Sequence, residues 1–94
     1  MARIPTAVVS SEVLNHLFDE FDIWAKIQDG RLTSKPIDGV PSYTWPNATS
    51  LIIKHFAPNG KHIATTHCVK DDSGHVLHWD AKDFRLHEVR LWRA

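Results

Sequence analysis

The chain has a single cysteine, Cys68, so it cannot close a disulfide within itself. Small secreted domains more often carry several, and a cytoplasmic setting is expected instead. No apolar run approaches the ~18 residues of a membrane span, so no membrane partner is expected. The opening Met1-Ala2-Arg3-Ile4-Pro5 has one charge and no long apolar stretch, which is unlike a signal peptide. Charge of one sign is not in excess: 11 Lys and Arg balance 11 Asp and Glu. That balance gives no bulk drive toward nucleic acid or anionic lipid. A phosphate-cradling Gly-rich loop, a nucleophile elbow and a dinucleotide fingerprint are all missing.

What the sequence does contain is 94 residues with 43% hydrophobic and 23% charged, the composition of one globular domain over 1–94. Seven histidines and four tryptophans stand out. The histidines leave the chain neutral near pH 7 and cationic below it. Low net charge near neutrality also tolerates self-association.

Ser10 and Ser11 are good N-cap residues, and Glu12 suits a positive helix end. Leu14, Leu17, Phe18, Phe21, Trp24 and Ala25 recur at spacings of three and four, one stripe of a helix. Gly30 is a suitable stop, so the pattern predicts one amphipathic helix over about 11–28. Residues 31–50 carry Pro36, Gly39, Pro41 and Pro46, which predicts a loop with at most an edge strand near 40–45. From residue 51 the pattern is strand and turn. Asn59-Gly60 is a strong hairpin signal, 71–74 is a second turn and 80–83 a weaker third. The strands between are 51–57, 62–70, 75–80 and 84–92. The expected fold is α+β: an N-terminal helix packed on a 3–5-stranded antiparallel β-meander over 51–93.

Tight turns at 59–60 and 72–73 imply a register. Ile52 opposes His67, Lys54 opposes Thr65 and Phe56 opposes Ile63. In the next hairpin His67 opposes His78, Thr65 opposes Asp80 and Val69 opposes Val76. Alternation then assigns a core face to Leu51, Ile53, His55, Ala64, Thr66, Cys68, Leu77 and Trp79. Cys68 reads there as a small buried hydrophobe. The other face carries Ile52, Lys54, Phe56, Ile63, Thr65, His67, Val69, Val76, His78 and Asp80. If the third turn is tight, Arg85 lies beside His78. The last strand loses its parity, and a β-bulge near 87–88 would restore it.

That second face holds the candidate site. Its ligand-binding residues are Trp45, Ile52, Lys54 and Arg85, and its candidate catalytic residues are His67, His78 and Asp80. Histidine moves protons near neutral pH, and a cation stabilises an anionic transition state. The set would suit a metal-independent ribonuclease, with His67 and His78 as the acid–base pair. Helix-then-meander order resembles small ribonuclease toxins, which implies architecture and not activity. Two imidazoles and a carboxylate are also sensible zinc ligands. Yet His75 and His78 fall on opposite faces of a strand, so their spacing is no motif, and no metal or cofactor is expected. Apolar residues on the outer face, with Val89–Arg90–Leu91–Trp92, suggest a homo-oligomer, a dimer first, unless the Pro-rich segment folds over them. The leading expectation is a small oligomeric binding domain that takes a small-molecule ligand on its His-rich face. Ribonuclease activity is the alternative. Arg85, Arg90 and Arg93 near Trp92 could contact nucleic acid, but the interspersed acids argue for an ordinary solvated strand.

Overall fold

Ser10 opens the first helix. Its hydroxyl accepts from the Val13 amide at 3.2 Å, which satisfies one of the free N–H groups of the first turn. In the computed structural model, which describes residues 5–37, 39–86 and 88–93, α1 spans Ser11–Glu20 and α2 spans Ile23–Gln28. The single helix expected over 11–28 is therefore two. Asp22 sits between them at φ 55°, a left-handed conformation that Asp tolerates better than most residues. The break redirects the chain so that Ile23 is buried and Trp24 packs on Phe18, with ring centroids 5.1 Å apart.

The strands are β1 (Thr6–Val9), β2 (Thr33–Pro36), β3 (Val40–Pro41), β4 (Ala48–Phe56), β5 (His62–Asp71), β6 (Val76–Leu86) and β7 (Val89–Arg93). They form one sheet in the order β1-β7-β6-β5-β4-β2, with β3 also on β4. The β4-β5-β6-β7 meander is antiparallel, while β1 joins β7 in parallel. The fold is thus α+β with a seven-stranded, mostly antiparallel sheet, larger than the expected meander. Two of the additions were hidden by composition. β1 is four residues long and runs almost directly into α1. β2 ends on Pro36, which is compatible only with an edge.

Three irregularities set which side chains share a face. At the first hairpin the Asn59 side chain accepts from the Lys61 amide at 2.9 Å, and Gly60 takes φ 85°. A shift at His55/Phe56 then pairs Phe56 with His62, not with Ile63, and Ile63 packs against the core. At the second turn Asp71 Oδ1 accepts from the Ser73 and His75 amides, both at 2.9 Å. Those bonds, the one from His75 foremost, hold the Asp71 carboxyl below its ordinary range. A second shift at Val69/Lys70 puts Val69 opposite His78 and His67 opposite Asp80. The expected pairs His67–His78 and Thr65–Asp80 are thereby displaced by one side-chain row. The third shift, at Thr65/Thr66, places Thr65 opposite Asp83. No turn occurs at 80–83; β6 runs straight through it. Chain reversal comes after Leu86, which pairs with Val89, and Glu88 there has φ 63°. The expected bulge near 87–88 falls partly on His87, outside the described residues.

The core is a cluster of Leu14, Phe18, Ile23, Leu32, Ala64, Ala81 and Phe84 between the helices and one sheet face. Small residues on β5 (Ala64, Thr66, Cys68) leave room for rings from the helices. Phe18 meets Phe84 edge-on at 6.0 Å, and Trp24 meets Trp79 edge-on at 5.4 Å. Cys68 is buried, and burial raises its thiol pKa, which suits packing and not attack. Leu77, expected on the core face, is exposed near the start of β6. His55 lies in the same buried layer. Its Nδ1 is 2.7 Å from Ser34 Oγ and its Nε2 is 2.8 Å from Thr66 Oγ1, so both ring nitrogens have partners. Among the described residues, no helix is long and apolar enough to cross a membrane.

Candidate functional site

Residues opposed across antiparallel strands present their side chains on the same face. Ile52, His67 and Asp80 form one such row across β4, β5 and β6. Ser50, Val69 and His78 form the next. The register therefore brings Ser50, His67, His78 and Asp80 together on the face away from the helices.

Asp80 is the hub. Its Oδ1 accepts from His67 Nδ1 at 3.1 Å and lies 3.0 Å from His78 Nε2. Its Oδ2 is held by Arg93 Nη2 from β7. The far nitrogen of His67, Nε2, lies 2.5 Å from Ser50 Oγ. With His67 Nδ1–H donating to the carboxylate, its Nε2 accepts the Ser50 hydroxyl proton, so hydroxyl, imidazole and carboxylate form a chain. Trp45, from the segment before β4, stacks on the His78 ring at 6.0 Å and 24°. The two imidazoles stand 5.9 Å apart, edge to face. Both imidazoles are thus fixed by at least two neighbours, the preorganisation that proton transfer or ligand coordination needs.

One row further along the sheet the chemistry changes. Lys54, Thr65 and Asp83 follow the Ile52–His67–Asp80 row in register, about 7 Å on for two residues of strand. Here a cavity of about 380 Å³ is lined by Ile52, Lys54, His62, Thr65, Lys82, Asp83, Arg85, Arg90 and Trp92. Four permanent cations face one carboxylate. Asp83 is only 1% exposed, and its Oδ2 accepts from Arg90 Nε at 2.9 Å. Asp83 Oδ1 and Arg85 Nε are buried and lack partners among the described residues. The Arg90 guanidinium lies over the Trp92 ring, 5.6 Å from its centroid. His62 Nε2 donates to the Ala64 carbonyl at 2.9 Å and sits 2.8 Å from Thr65 Oγ1. Burial first, then the Arg85 charge, push the His62 pKa below its ordinary value.

Of the residues singled out in the sequence, His67, His78, Asp80 and Trp45 meet in the first cluster. Ile52 borders both regions, and Lys54 lines the cationic groove. Arg85 is not beside His78. It pairs with Arg90 in register and lines the groove with His62, because the turn that would have folded it back does not exist. The cation on Asp80 is Arg93. Sequence reasoning also missed Ser50, Lys82, Asp83 and Arg90 as part of this face. Ser50 had a signal: it shares the parity of Ile52 on the same strand. Asp83 and Arg90 had none, since their parity depends on the shift at Thr65/Thr66 and on the turn after Leu86.

Comparison with protein-family models, curated proteins and solved structures finds no match to this chain.

Proposed function

We propose that the protein is a binding domain whose outer sheet face takes a phosphate-bearing ligand in the cationic groove. The observation that carries this reading is the groove itself: Lys54, Lys82, Arg85 and Arg90 surround one buried carboxylate already committed to Arg90. A row of like charges is costly unless an anion shares the space, and guanidinium forks match phosphate oxygens. Among the described residues, Arg85 Nε is a donor without an acceptor, and Asp83 Oδ1 an acceptor without a donor. A phosphorylated small molecule with a hydroxyl or amino group satisfies both. The zero net charge of the chain makes this a local recognition field and not a bulk attraction.

Calorimetric titration with inorganic pyrophosphate tests it. Binding that weakens about tenfold with Lys82→Gln or Lys54→Gln, and falls as salt rises, supports the groove. His16→Gln on α1 leaves it unchanged. Binding indifferent to both lysines rejects the reading.

A second reading, ribonuclease activity, is favoured by the imidazole pair one row from the groove. A phosphodiester held by the cations would bring its sugar hydroxyl toward His67 and His78, which would serve as acid and base. A fluorogenic RNA substrate assayed over pH 5–8 decides this. Cleavage abolished by His67→Ala or His78→Ala in folded protein supports it, and no cleavage at any pH removes it.

Self-association is part of the same proposal. β1 is an open sheet edge with Val8 62% exposed, and Val76 and Leu77 are exposed near the start of β6. Pairing of two copies would cover such surface. Sedimentation at high concentration should return a dimer; a monomer there rejects this part alone.

A further inference from the structure

We propose that His67, His78 and Asp80 form a site for one divalent transition metal ion, zinc being the ion their chemistry fits best. The inference does not rest on the phosphate reading, because it uses different side chains. One ligand atom from each of the three lies within 4.8 Å of the others, and among the described residues this is the one such group. His67 Nδ1 and His78 Nε2 stand 3.1 and 3.0 Å from the same carboxylate oxygen. Donors bound at about 2.0–2.1 Å to a tetrahedral zinc lie roughly 3.3 Å apart. Two of the three donor separations are therefore already close to those of an occupied site. Movement of the His78 side chain, 45% exposed, closes the third.

The outer partners are in place as well. Metal-bound histidines characteristically donate their second ring N–H to a fixed acceptor, and bound carboxylates are themselves hydrogen-bonded. Ser50 Oγ lies 2.5 Å from His67 Nε2, Arg93 holds Asp80 Oδ2, and Trp45 packs on the His78 ring. Metal on Nδ1 would reverse the proton between Ser50 and His67, so that Nε2 donates. Ordinary surface pairs lack this construction. His75–Asp71 and His16–Glu20 are two-residue contacts with histidines 80% and 78% exposed. Three protein ligands leave the fourth position of a tetrahedron open on the outer face, as in catalytic rather than structural zinc sites.

Titration of the metal-free protein with Zn²⁺ against a chromophoric chelator, and with Co²⁺ followed by visible absorption, tests the site. The expected result is one ion per chain, with intense tetrahedral Co²⁺ bands. His78→Asn lowers the affinity at least 100-fold, and Ser50→Ala by about 10-fold, in the range for outer partners. His75→Asn and His16→Asn change nothing. His78 is exposed, so its variant keeps the fold, which circular dichroism verifies. In the wild type, Zn²⁺ shifts the ring resonances of His67 and His78 and leaves those of His55 in place. No stoichiometric binding, or binding that survives His78→Asn, overturns the proposal. Pyrophosphate binding in the groove is unaffected by either outcome.

Discussion

His55 shows what burial does to a single residue. It is fully buried, with a hydroxyl on each ring nitrogen, and its pKa is lowered to about 4, by burial first and then by the nearby His62. The folded protein therefore resists a proton that the unfolded chain accepts near ~6.5. The sign follows: this stability is full above the unfolded value and is lost as pH falls toward the folded one. The loss reaches about 3 kcal/mol near pH 4. Urea denaturation at pH 7 and at pH 4.5 should show the midpoint falling steeply, and a flat midpoint contradicts the assignment. Asp83 presents the opposite case, a buried charge kept by its partner. Replacing Arg90 with Met leaves that carboxylate unpaired and should cost about 3 kcal/mol in the same assay. A cost below ~1 kcal/mol would mean that solvent reaches Asp83.

Among the elements, the helices and hairpins were readable wherever local chemistry decides the conformation. Ser10 as a cap, Asn59-Gly60 as a turn and the Leu14/Phe18 stripe depend on a few neighbouring residues, and each appears in the structure. The break at Asp22 was not readable, since the apolar spacing continues through it. The last hairpin is similar. Glu88 occupies a left-handed conformation that costs a non-glycine side chain roughly 1 kcal/mol. Glu88→Gly should therefore raise the melting temperature by about 4–8 °C, read by calorimetry. An unchanged or lower melting temperature would show that the turn is not strained at this position.

Over the whole molecule, the sequence brought His67, His78 and Asp80 to one sheet face but left their arrangement on it open. Parity alone placed His67, His78 and Asp80 on one side of the sheet. The shift at Val69/Lys70 then decided that Asp80, not His78, opposes His67, and the run of β6 through 80–83 carried Arg85 away from His78. Such shifts arise from sheet twist and core packing over long distances, to which local spacing is blind. The shift at Thr65/Thr66 and the turn after Leu86 bring Lys54, Lys82, Arg85 and Arg90 into one groove from three strands. His62 is the natural reporter of that groove, because Arg85 and Lys54 both act to lower its pKa. An anion among them must act in the opposite direction. The decisive measurement is an NMR titration of the His62 ring with and without inorganic pyrophosphate. The account predicts that the ligand raises the His62 pKa, the direction opposite to that of Arg85 and Lys54. A His62 titration curve unmoved by saturating pyrophosphate would contradict it.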